Sequence, residues 1–78
     1  MGRYYSISKK LSEESAQRIL GELRALEDVE YADFDENYAG ITIITKSGEY
    51  TGVMDRAVNI FAREGGGAEL SFQRFIPA

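Results

Sequence analysis

Between Ser12 and Val29 the chain reads SEESAQRILGELRALEDV, and this stretch limits the possible folds more than any other. Ala16, Ile19, Leu20, Leu23 and Leu26 recur at helical spacing and form one apolar stripe. Gln17, Arg18, Glu22 and Arg24 fall outside it, as solvent-facing residues should. Ser12 is placed to cap the first turn, because its hydroxyl can accept from an otherwise orphan N–H. Glu13 and Glu14 then put negative charge at the positive end of the helix dipole. Glu27-Asp28 mark its end. Gly21, mid-helix, costs about 1 kcal/mol against Ala and reads as a solvent-face imperfection or a close-packing point. A helix with one apolar face needs another layer to cover it.

The flanking segments supply that layer. Tyr4, Ser6 and Ser8 alternate with Tyr5 and Ile7, a strand period, with Tyr5 and Ile7 expected to face the core. Residues 30–35 alternate again, Ala32 and Phe34 inward against Tyr31, Asp33 and Asp35. A polar loop from Asp35 to Gly40 leads to Ile41-Thr42-Ile43-Ile44-Thr45, the most β-prone run. Ile41 and Ile43 are expected inward and Ile44 on the opposite face. Lys46-Ser47-Gly48-Glu49 signals a turn, after which residues 49–52 read either as a short strand or as the approach to a helix. Val53 to Glu64 is helical in pattern, with Met54, Ala57, Val58 and Phe61 on one face and Val53 and Ile60 beside it. Gly65-Gly66-Gly67 stops that helix and is expected to be a flexible connector. Ala68 to Phe75 alternates as a last strand, with Leu70 and Phe72 inward and Ser71, Gln73 and Phe75 outward. The order is β-α-β-β-α-β. With right-handed crossovers it predicts an α+β, ferredoxin-like fold, a four-stranded antiparallel sheet carrying two helices on one face.

Seventy-eight residues make one domain, 1–78, which buries only about 60% of its unfolded surface. The chain has no Cys, His or Trp, so it offers no thiolate, no imidazole base and no N/S-ligated metal site. Catalysis would have to rest on carboxylates, Lys, Arg, Tyr or Ser, and no constellation of these stands out. The expectation is a non-enzymatic chain without a cofactor. A net charge of −4 with scattered basic residues argues against nucleic acid. No apolar run approaches the roughly 20 residues that cross a bilayer, and no signal-peptide core follows Met1, so a cytoplasmic location without membrane contact is expected.

Ser12-x-x-Ser15 is followed by Ala16-x-x-Ile19-x-x-x-Leu23-x-x-Leu26-x-Asp28-Val29, then Ala32 and Phe34, a loop, and Ile41 and Ile43. Over positions 12–43 this spacing resembles the heavy-metal-associated domain of copper chaperones and metal-pumping P-type ATPases. There a Cys-x-x-Cys loop precedes the same core pattern. The resemblance implies the ferredoxin-like fold and a connection to metal transport. It also places Ser12 and Ser15 where the family has its metal-binding cysteines, Lys10 where a Met often sits, and Asp28 where Gly is usual. A serine hydroxyl is a hard, weak ligand that cannot replace thiolate for Cu(I) or Zn(II), and Lys9-Lys10 would repel a cation. The resemblance therefore implies the scaffold without its soft-metal site.

Other candidates follow from the residues themselves. Asp33, Asp35 and Glu36 are the densest acid cluster. They read either as a partial hard-cation site or, with better support, as solvated charges that discourage edge pairing. Tyr4, Tyr31, Ile44 and Phe75 are expected together on the sheet face away from the helices, a partner-binding surface for another protein or a second copy. A module of this kind, resembling the heavy-metal-associated domain, is the first functional expectation. A dimeric small-ligand-binding regulatory domain resembling the ACT type is the second. An acylphosphatase-like hydrolase ranks last, because no anion-cradling loop with a placed Arg is visible.

Overall fold

Ser12 does cap the first helix. In the computed structural model, which describes residues 1–77, its hydroxyl accepts from the Ser15 N–H at 3.1 Å, and helix α1 runs Glu13–Arg24. Losing the side-chain oxygen in Ser12→Ala should cost about 1 kcal/mol, read as a lower midpoint in chemical denaturation. Ala16, Ile19, Leu20 and Leu23 are buried. The helix ends before the stripe does: Leu26 lies beyond it, held by its N–H donating to the Leu23 carbonyl, and still packs on the core. Gly21 sits on the solvent side with no atom near the position of an added Cβ. Gly21→Ala is therefore expected to stabilise the fold by about 0.8–1 kcal/mol, measurable as a raised denaturation midpoint.

The remaining elements are β1 Gly2–Ile7, β2 Val29–Phe34, β3 Gly40–Thr45, α2 Thr51–Glu64 and β4 Leu70–Ile76, giving the order β-α-β-β-α-β. The strands form one antiparallel sheet in the order β2-β3-β1-β4, so the two edges are β2 and β4. This is the ferredoxin-like arrangement. One core joins the layers: Tyr5, Ala32, Ile41 and Ile43 from the sheet meet Ala16, Ile19, Leu23, Ala57 and Phe61 from the helices. Phe61 is fully buried, its ring edge-on to Phe34 with centroids 6.1 Å apart.

Several expectations are corrected by this packing. Of the two readings of residues 49–52, the approach to a helix is the one formed: Tyr50 stands at the N-cap and Thr51 begins α2. The buried face of α2 is Val53, Ala57, Ile60 and Phe61, which turns Val58 outward at 53% exposure. The triple glycine is a hydrogen-bonded helix end. Gly65 N–H donates to Phe61 O and Gly67 N–H to Ala62 O, with φ of 64° at Gly66 and 86° at Gly67. Those angles suit Gly and strain other residues.

The largest correction concerns β4. Tyr4 faces Arg74, but Tyr5 faces Phe72, so Gln73 is an extra residue in the strand. A β-bulge of this kind shifts every later side chain to the opposite face. Phe75 pairs with Arg3, which shares a face with the buried Tyr5, and so lies on the helix side of the sheet. Its predicted place on the open face is taken by Ile76, opposite Gly2.

Candidate interaction surface

Ser12, at the N-cap of α1, and Ser15, in its first turn, are both engaged locally. Ser12 Oγ is the helix cap, and Ser15 Oγ accepts from Arg18, whose guanidinium also bridges Glu14 at 2.9 Å and Glu64 at 3.1 Å. The acid cluster separates. Asp33, on the open face by register, accepts from the Phe34 N–H and lies 3.7 Å from Arg24, while Asp35 in the following loop accepts from the Tyr4 hydroxyl. Among the described residues no group of three or more acidic side chains is placed to hold a metal ion.

The open face is built in rows by the strand register. The first row crosses Tyr31, Ile44, Gly2 and Ile76, from β2 to β4. Gly2 leaves room for Ile44 to lie flat, since an added Cβ would come within 2.8 Å of Ile44 Cγ1. Tyr31 is 47% exposed, and Ile44 and Ile76 are half-buried. The second row is Asp33, Thr42, Tyr4 and Arg74, with the Arg74 guanidinium 4.3 Å from the Tyr4 ring centroid. Below it Tyr4 lies over Gly40, where any Cβ would overlap the ring. The third row, Gly40, Ser6 and Ser71, is small and polar. The structure thus groups Tyr4, Tyr31 and Ile44 as expected and excludes Phe75. The face is an apolar strip at one end with a polar field beside it.

Tyr4 closes this surface at the β2–β3 loop. Its hydroxyl donates to Asp35 Oδ2 at 2.6 Å, and Asp35 Oδ1 accepts from the Ala39 N–H at 2.9 Å. Hydrogen bonding to Asp35 raises the Tyr4 pKa. Partial desolvation pushes the Asp35 carboxyl up, but Tyr4 and the N–H groups of Ala39, Gly40 and Asn37 outweigh it and hold it below its usual range.

Sequence reasoning missed two devices. Asp28 carries the turn before α2, accepting from Ser47 N–H at 2.9 Å and Ser47 Oγ at 2.6 Å, while Lys46 N–H donates to its carbonyl. The Ser47 hydroxyl is the main cause that lowers the Asp28 pKa. Tyr50 is the second: its buried hydroxyl is 2.6 Å from Met1 O and 3.2 Å from Ile43 O, tying the chain start to β3. The only sequence signal for either was a residue out of keeping with its surroundings, an acid at a helix end and a tyrosine at a turn.

Because the folded-state pKa values of Asp28 and Asp35 are depressed, their stabilisation is present above the unfolded value, about 3.9. It is lost as pH falls through the lower folded-state values. Thermal unfolding between about pH 6 and about pH 2 should therefore fall more steeply for the wild type than for Asp28→Asn/Asp35→Asn. Parallel curves would remove both groups from the acid response.

No family model, curated protein or solved structure matches this chain.

Proposed function

We propose that the chain is a non-enzymatic protein-interaction or regulatory module on a scaffold resembling the heavy-metal-associated domain, with its sheet as the working surface. The observation that carries this reading is the uncovered row of Tyr31, Ile44 and Ile76, made continuous by Gly2. Apolar groups lined up across a solvated sheet face favour docking over plain solvation. The resemblance ties the module to metal transport as a scaffold without thiolates; Ser12 and Ser15 spend their hydroxyls on the helix and on Arg18.

Two measurements test the proposal. Titration of the isolated chain with Cu(I) or Zn(II) should show no tight saturable site; tight binding overturns the reading. Affinity capture should be compared for wild type and Ile44→Lys, with far-UV dichroism showing that this half-buried substitution keeps the fold. Any protein held by the wild type should be lost from the variant, and equal capture by both removes the open face from the proposal. The ACT-like alternative, in which the chain is a dimeric receptor for a small ligand, predicts thermal stabilisation by an amino acid. A ligand at 100 times its dissociation constant adds about 2.7 kcal/mol.

A further inference from the structure

The two edges of the sheet are treated differently. On β2, Arg24 Nε occupies the Ala32 carbonyl at 3.0 Å and its guanidinium reaches Asp33, with Glu30 adding charge to the same strand. Charge of this kind protects an edge from pairing. On β4 the one charged residue is Arg74, drawn over the Tyr4 ring. Its helix side shows two aromatic rings to solvent, Phe72 at 47% and Phe75 at 53% exposure, with centroids 5.0 Å apart. Arg3 supports them from behind, its guanidinium 5.8 Å from the Phe72 centroid, 5.4 Å from Phe75 and 4.4 Å from buried Tyr50.

The bulge gives this edge an unusual symmetry. Ser71 pairs with Ser6 and lies on the open face; Phe72 pairs with Tyr5 on the helix side. Gln73 reaches Ser6 Oγ at 3.1 Å and Arg74 lies on Tyr4, so both are on the open face. Phe75 returns to the helix side and Ile76 to the open face. From Ser71 to Ile76 the pattern is open, helix, open, open, helix, open. It reads the same in both directions. A strand paired antiparallel with its own copy about a two-fold axis must match faces, residue by residue. A regular strand does so only with residues of equal parity opposite each other. This one does so from Ser71 to Ile76 in one register: Ser71 opposite Ile76, Phe72 opposite Phe75, and Gln73 opposite Arg74.

We infer that β4 pairs with β4 of a second copy of this chain in that register, giving a symmetric dimer with a continuous eight-stranded sheet. Each Phe72 then meets a Phe75, and the exposed rings of both copies cover one another. The register sets Arg74 against the neutral Gln73, avoiding the like-charge opposition of an Arg74–Arg74 pairing. The unpaired amides and carbonyls of β4 gain partners, which the charged β2 edge does not offer a second copy. This goes beyond the open-face reading and stands or falls separately from it.

Sedimentation velocity from about 10 µM to about 1 mM should show a monomer–dimer equilibrium and no larger species. Phe72→Glu and the milder Phe75→Ser should each weaken it at least about tenfold, with far-UV dichroism unchanged, whereas Ile44→Lys should leave it intact. The chain has no native cysteine, so register can be read by oxidation. Ser71→Cys/Ile76→Cys should cross-link into dimers, because opposed residues about 4.5–5.5 Å apart suit a disulfide. Ser71→Cys alone should not. A strict monomer at the highest concentration, a dimer broken by Ile44→Lys but not by the phenylalanine variants, growth beyond dimers, or cross-linking by Ser71→Cys alone each overturns the proposal.

Discussion

Phe61→Ala should remove about 3–5 kcal/mol of folding free energy, the range for an aromatic side chain deleted from a closed core. The ring is fully buried at the junction of α2 with the sheet, edge-on to Phe34, and shares its cluster with Ile41 and Ile43. A domain of this size has roughly 4–12 kcal/mol in total. The substitution therefore consumes a quarter of that or more. Urea denaturation should show the midpoint falling steeply, and at the low end of the range the variant will be largely unfolded at room temperature. A loss below about 1 kcal/mol would mean that neighbouring side chains collapse into the space, contrary to the close packing described.

Tyr50→Phe is the second large effect. Only an oxygen is removed, yet that oxygen lies between three main-chain groups: Met1 O at 2.6 Å, Ile43 O at 3.2 Å and the Thr45 N–H at 3.4 Å. Leaving buried polar groups without their partner costs about 1–3 kcal/mol, more than the hydrogen bond itself contributes. The ring and its contact with Arg3 remain, so the loss should be local to the chain start. Hydrogen exchange should accelerate at the first residues of β1 and at Thr45 while amides in α1 keep their protection. Uniform acceleration across the sheet would show that Tyr50 supports global stability rather than this one attachment.

Much of the architecture was legible because it depends on periodicity. A 3.6-residue stripe in residues 16–26 and two-residue alternation in 4–7, 30–35 and 41–45 each settle a face locally, and the faces fit together in one way. The failures occur where one residue changes a phase. Ala57 and Val58 are neighbours 100° apart on α2, and only the position of the sheet decides which is buried. Gln73 carries no mark of a bulge in its own chemistry; the extra residue is visible only in the pairing with β1. Tyr50 and Asp28 act across 49 and 19 residues of sequence, so their partners lie outside any local window. The candidate surface was three-quarters legible for the same reason: Tyr4, Tyr31 and Ile44 precede the bulge, and Phe75 follows it.

The bulge at Gln73 also changes what a one-residue deletion would mean here. Removing Gln73 would restore strict alternation without moving its neighbours across the sheet: Arg74 would stay opposite Tyr4 on the open face and Phe75 opposite Arg3 on the helix side. In the two-fold pairing of β4 that keeps Phe72 opposite Phe75, the centre would become Arg74 facing its own copy. A gap of one position in this strand would thus leave both faces as they are and set like charges at the centre of the paired edge.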